Sequence, residues 1–199
     1  VSGKNFFFFF IAKIDSPDIP TPIGSNKIIA SNTMVTKVNS SVGIGLYLAQ
    51  NDDFFVERGP LPPVAGQETR YTLKIRLNNA SNDITSAKLV VTLPSSSQYQ
   101  KEFMPDTEAV EWNDRTNTLT WDLATYRAAR GESRELRFQV TATPDASMMN
   151  KELQLVNGVV FTGKDQFTKQ DIRIEKSVQD TKYLSREDGS PVNLNVTNQ

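Results

Sequence analysis

The sequence predicts an all-β protein built as an antiparallel sandwich, on three observations. Apolar and polar residues alternate at the strand period in run after run, the runs are short and bounded by Gly, Pro, Asn and Asp, and no segment carries a helical stripe. The clearest run is 71–77, where Tyr71, Leu73, Ile75 and Leu77 alternate with Thr72, Lys74 and Arg76. One face is apolar and the other polar, as a half-buried antiparallel strand requires.

Taken in order, Phe6–Ile14, residues 27–30 and Val42–Ala49 read as strands separated by Pro17, Pro20, Pro22 and Gly24. Three strands are too few to close a sandwich, so residues 1–50 are expected to be the C-terminal strands of a partial β-sandwich domain. Residues 51–63 combine acidic residues with Pro60, Pro62 and Pro63, and proline gives no donor to a central ladder. They read as a linker, with Phe54–Val56 as a first edge strand.

Residues 64–172 form the main domain. After the strand at Tyr71, Ala87–Leu93 is a strand, Val110–Trp112 and Leu119–Leu123 form a hairpin around 113–117, and Leu136–Thr143 and Leu153–Thr162 complete the set. The count approaches the seven or so strands, over roughly 100 residues, of an immunoglobulin-like β-sandwich. The fold class is therefore one complete immunoglobulin-like sandwich plus strands of a preceding domain, with Trp112 and Trp121 near the core. Only Ala124–Gly131 has the makings of a short helical turn. Residues 173–199 read as a C-terminal extension or linker, with a turn at Asp188–Pro191 and a last strand through Val192, Leu194 and Val196.

Composition narrows function. Twenty-two Lys and Arg face 23 Asp and Glu, a formal charge of −1 that gives no global field for drawing in nucleic acid or an anionic membrane. Cysteine and histidine are both absent, which removes the usual thiol nucleophile, the commonest acid–base group and the softer metal ligands. No cofactor is expected. The apolar run Phe6–Ile11 is far shorter than the roughly 20 residues of a bilayer-spanning helix. Neither an anchor nor a signal peptide is expected, and no membrane insertion.

The run Phe6, Phe7, Phe8, Phe9, Phe10 puts aromatics on both faces of one strand. Such a strand is either buried on both sides or offers a face for packing against another subunit, by strand addition to a neighbour's sheet. Those five residues are the candidate assembly interface, with Val192–Val196 as a second segment that could complete a neighbour. Asp52, Asp53, Asp83 and Asp165 are the candidate calcium ligands, because calcium takes several carboxylate and carbonyl oxygens. Asn and Asp are equally the ordinary formers of turns, and no loop shows an EF-hand spacing. Tyr99, Tyr126 and Trp121 are candidate stacking platforms for a glycan. Lys74 and Asn157 would have to meet across strands to form an amide crosslink. The sequons at Asn39, Asn79 and Asn195 are what an Asn-, Ser- and Thr-rich chain produces by chance. The adjacent acids Asp52/Asp53 and Glu187/Asp188 point to opposite sides of an extended chain, which argues against a catalytic carboxylate pair.

Several segments carry a family likeness: Gly59-Pro-Leu-Pro-Pro-Val-Ala-Gly66, Tyr71-Thr-Leu-Lys-Ile75, Leu77-Asn-Asn-Ala-Ser-Asn-Asp83 and Ala87-Lys-Leu-Val-Val-Thr-Leu-Pro94. Trp121-Asp-Leu123, Ala129-Arg-Gly-Glu132, Phe138-Gln-Val140 and Val159-Val-Phe-Thr-Gly-Lys-Asp165 continue it. Over residues 54–172 the chain resembles the DUF11 repeat of large bacterial surface proteins, especially its variants in candidate-phyla bacteria. The resemblance implies an immunoglobulin-like module at the extracellular bacterial cell surface, with adhesion or scaffolding as its work. Implied partners are other surface-protein domains, copies of itself, a host-cell protein or a glycan. The shared motifs are structural punctuation and name no ligand.

Overall fold

The computed structural model describes residues 4–15, 28–49, 52–128, 133–177 and 184–198. Eleven antiparallel strands lie among them. Strands β1 (Phe7–Asp15) and β2 (Ile28–Lys37) form a hairpin of their own. A four-stranded sheet has the spatial order β3 (Val42–Ala49), β4 (Thr69–Asn79), β9 (Arg134–Ala142) and β6 (Ser97–Met104). A five-stranded sheet has the order β11 (Asp171–Lys176), β10 (Gly158–Asp165), β5 (Ile84–Thr92), β8 (Thr118–Tyr126) and β7 (Ala109–Asn113).

The inward residues of both sheets make one core. Leu73, Ile75 and Leu77 of β4 and Leu136, Phe138 and Val140 of β9 pack with Leu89 and Val91 of β5, Leu119 and Trp121 of β8, and Val159 and Phe161 of β10. All twelve are excluded from solvent, which is the main driving force of the fold. The chain changes sheet between β4 and β5, β5 and β6, β6 and β7, β8 and β9, and β9 and β10. With β3-β4-β9 facing β11-β10-β5, this is the immunoglobulin-like sandwich, widened by β8 and β7 beyond β5.

Strand β3 does not belong to a preceding domain. It pairs with β4 over eight residues, from Val42 opposite Asn79 to Ala49 opposite Thr72, and buries Val42, Ile44 and Leu48 in the common core. The partial-domain reading therefore fails for 42–49: the strand supplies apolar side chains that β4 lacks on that edge. Residues 52–66 are not a linker between domains and contain no edge strand. They cross the outside of the four-stranded sheet, where Phe55 is buried while Phe54 and Val56 stay exposed, and the Val56 carbonyl accepts from the Gln139 amide. Gly59 and Gly66 lie at φ of 95° and 77°, and a Cβ on Gly59 would fall 2.5 Å from the Glu68 carbonyl. Glycine is needed at 59 for both reasons and at 66 for its backbone conformation alone.

The tail is also part of the sandwich rather than a linker. Leu184, Val192, Leu194 and Val196 are buried in the core. The Leu48 amide donates to Ser185, the Leu153 amide to Leu194, and the Val196 amide to Lys151. Glu187 closes a four-charge network in which Lys74 lies 2.8 Å from Glu135 and 2.9 Å from Glu187, while Arg76 pairs with both acids.

Other expectations shift in detail. The last long strand begins at Gly158 and not at Leu153, and Ala124–Tyr126 continues β8 rather than starting a helical turn. The segment Ala129–Glu132 of the family likeness and the breakers Pro17, Pro20, Pro22 and Gly24 lie outside the described residues. Among the described residues no helix is long and apolar enough to cross a membrane.

Candidate assembly interface

The β1–β2 hairpin belongs to neither sheet of the sandwich. Its register sets Phe7 opposite Lys37, Phe8 opposite Thr36, Phe9 opposite Val35, Phe10 opposite Met34, Ile11 opposite Thr33, and Lys13 opposite Ser31. Because side chains alternate across a strand, the two faces are fixed by this register. One carries Phe7, Phe9, Ile11, Val35, Lys13 and Lys37, and the other Phe8, Phe10, Ala12, Ile14 and Met34 with Asn32 and Thr36.

Both faces are open. Phe7, Phe8, Phe9 and Phe10 are 48%, 62%, 60% and 54% exposed, and Ile11, Ile14, Met34 and Val35 are also more than half exposed. Phe6 alone is half-buried, at the root, where its carbonyl accepts from the Val38 amide at 2.9 Å. Of the two readings of the phenylalanine strand, burial on both sides is not what the chain does. β2 covers one edge of β1 and leaves the faces bare.

A polar joint holds the root. The Asn82 side chain accepts from the Asn5 amide at 3.1 Å and donates to the Val38 carbonyl and to Asp165 Oδ2, both at 2.8 Å. Asp165 Oδ2 also accepts from the Ser40 amide at 2.7 Å, and its Oδ1 accepts from the amides of Phe167 and Thr168 at 2.8 and 3.0 Å. Burial would raise the Asp165 carboxyl, but the Asn82 amide and the three backbone N–H groups outweigh it and hold it below the usual range. Lys4 forms an ion pair with Asp83 at 2.8 Å and depresses that carboxyl as well. On the apolar side, Phe7 packs on Phe167 at 5.8 Å between ring centroids, and the Lys37 ammonium sits 4.6 Å from the same ring. The hairpin is thus fastened at its base and bare along its length.

The candidate calcium ligands fall into two separate places. Asp83 and Asp165 sit in the joint, where the four acceptances of Asp165 leave no free carboxylate position for a cation. Asp52 and Asp53 line a surface cavity of about 420 Å³ in which the acids Glu187 and Asp188 and the cations Lys74, Arg137 and Arg186 also stand. Asp52 accepts from the Phe54 amide at 2.9 Å and pairs with Arg137 at 2.8 Å; these contacts overcome the upward pull of burial and lower its pKa. Among the described residues no three ligating side chains converge on a metal position.

The glycan platforms are overturned by burial. Trp121 is 0%, Tyr126 4% and Tyr99 9% exposed, and burial pushes the two phenols up to about 12. Each faces the core because it sits on an inward position of β8 or β6. Lys74 lies on the outer side of the four-stranded sheet in its ion pairs, while Asn157 leads into the other sheet, so the two do not meet. Val192–Val196 is occupied in its own core and is not free to complete a neighbour. Sequence reasoning missed Met34 and Val35, which join the bare faces, and Asn82, Ser40 and Phe167 at the joint. The apolar pair in Met34-Val35 was a visible signal; the joint is assembled from distant positions and gave none.

No family model and no curated protein matches the chain. Among solved structures, the chain is similar to the full-length major pilin SpaD of Corynebacterium diphtheriae, with 15% identity over 67% of this chain and 33% of that one, at a TM-score of 0.43. It is similar to BcpA, the major pilin subunit of Bacillus cereus, with 11% identity over 79% and 51% and a TM-score of 0.39. A GH20 exo-β-N-acetylglucosaminidase of Vibrio harveyi gives 13% identity over 67% and 17%, with a TM-score of 0.34. The chain spans about a third of SpaD and half of BcpA.

Proposed function

We propose that this chain is a non-catalytic structural module of an extracellular bacterial surface assembly, and that the β1–β2 hairpin is the contact through which the module joins a neighbour. The carrying observation is the exposure of Phe7–Phe10 on both faces of a hairpin that stands outside the sandwich. Isolated two-stranded hairpins are marginal in water, and a monomer rarely leaves contiguous apolar patches above a few hundred Å² open without using them. Water therefore disfavours the bare hairpin, and covering it by another molecule supplies the driving force for association.

The rest of the molecule supports a mechanical role. The described acids of the joint and the outer sheet are engaged by lysine, arginine or backbone donors, an arrangement that fixes geometry. The resemblance to the DUF11 repeat of surface proteins is consistent with that setting. Replacing Phe7, Phe8, Phe9 and Phe10 by serine in the parent protein, followed by electron microscopy of the cell surface, tests the proposal. Loss of ordered surface material with the sandwich still folded is the expected result; an unchanged surface would refute it.

A further inference from the structure

We infer that the partner covering the hairpin is a second copy of this chain, and that the copies meet through the face bearing Phe8, Phe10, Ile14 and Met34. This rests on the reading of the hairpin as a contact and adds which side is used and by whom. The two faces differ in charge. Lys13 and Lys37 lie on the face of Phe7 and Phe9, which is also the one anchored through Phe7 to Phe167. The opposite face has no charged residue among its described side chains; its only polar groups are Asn32 and Thr36.

That difference selects the face and the occupant. Two identical copies meeting across a twofold axis bring each patch against itself, so a charged patch sets like charges together. The lysine-bearing face is therefore unsuited to meeting its own copy, whereas the uncharged face meets itself without desolvating a charge. The area agrees. With aromatic areas of about 200 Å² apiece and exposures of 62% and 54%, Phe8 and Phe10 leave roughly 230 Å² open. Ile14 and Met34, at 62% and 60% exposed, about double it. Two copies would bury about 900 Å², below the roughly 1,200 Å² of stable specific interfaces and in the range of transient ones, so the pairing is weak and reversible and gains strength when many modules are displayed together.

The test uses the whole chain in analytical ultracentrifugation, with Trp121 fluorescence reporting that the sandwich is folded. A concentration-dependent dimer is expected. Phe10→Ser combined with Met34→Ser should weaken it by about tenfold or more, and Phe9→Ser combined with Val35→Ser should leave it. Because the chain has no cysteine, a bismaleimide linker applied to Ala12→Cys should give a covalent dimer, and applied to Thr33→Cys should not. A dimer that survives the Phe10/Met34 pair, or that links through position 33 and not 12, overturns the assignment of the face. A chain monomeric at all concentrations overturns self-pairing while leaving the hairpin contact to stand or fall by the surface imaging.

Discussion

At the scale of single residues, Asp165 and Trp121 decide most. Asp165 is fully buried with four donors on its carboxylate, three of them backbone N–H groups, of Ser40, Phe167 and Thr168. Asp165→Ala is expected to lower the unfolding free energy by about 3 kcal/mol in urea titration, the order of cost for orphaning buried donors of a charged acceptor. The sign of the pH dependence follows from the depressed carboxyl. Its stabilising contribution is complete above the unfolded value of about 3.9 and is lost as pH falls through the lower folded value. Acid titration of the unfolding midpoint should therefore be flatter below about pH 4 in Asp165→Ala than in the parent; parallel curves would contradict the assignment. Trp121, wholly buried with its Nε1 donating to Glu108 at 2.7 Å, should cost about 4 kcal/mol when cut to alanine. Trp121 declares itself in the sequence through its alternation with Leu119 and Leu123. The role of Asp165 does not, since two of its donors come from residues 40 and 82, brought close only by the fold.

At the scale of elements, what was legible followed period and composition. The alternation in β4 marks Leu73, Ile75 and Leu77 as inward because one face alone touches the core. Strand β6 escaped because Gln100, Lys101 and Glu102 interrupt its apolar run and a register shift between Tyr99 and Phe103 breaks the alternation, with Lys101 at a φ of 61°. Strand β3 is recognisable as a strand, but whether it closes this sheet or another depends on non-local pairing, which local pattern does not encode. The tail is the same case: alternation in Val192, Leu194 and Val196 shows a strand-like segment but not where its apolar side lands. Removing residues 184–199 should lower the urea midpoint sharply, because four core side chains worth about 1.5–3 kcal/mol each leave with it. An unchanged midpoint would show that the tail is an appendage after all.

At the scale of the whole molecule, a sandwich with one buried core carries an apolar hairpin whose faces that core does not cover. The core alternates cleanly and closes on itself, whereas Phe6–Phe10 breaks the alternation by putting aromatics at consecutive positions. That break was the visible sign that this strand does not follow the inward–outward pattern of the sandwich strands; exposure on both faces was not visible, because it depends on the hairpin forming a sheet of its own. Hydrogen exchange on the native assembled material, compared with the dispersed chain, tests the central claim most directly. Slower exchange on assembly is expected for the amides of β1 and β2, with those of β4 and β9 already slow and unchanged. Unchanged exchange in β1 and β2, with new protection confined to the faces or edges of the sandwich, would show that the hairpin is not the contact.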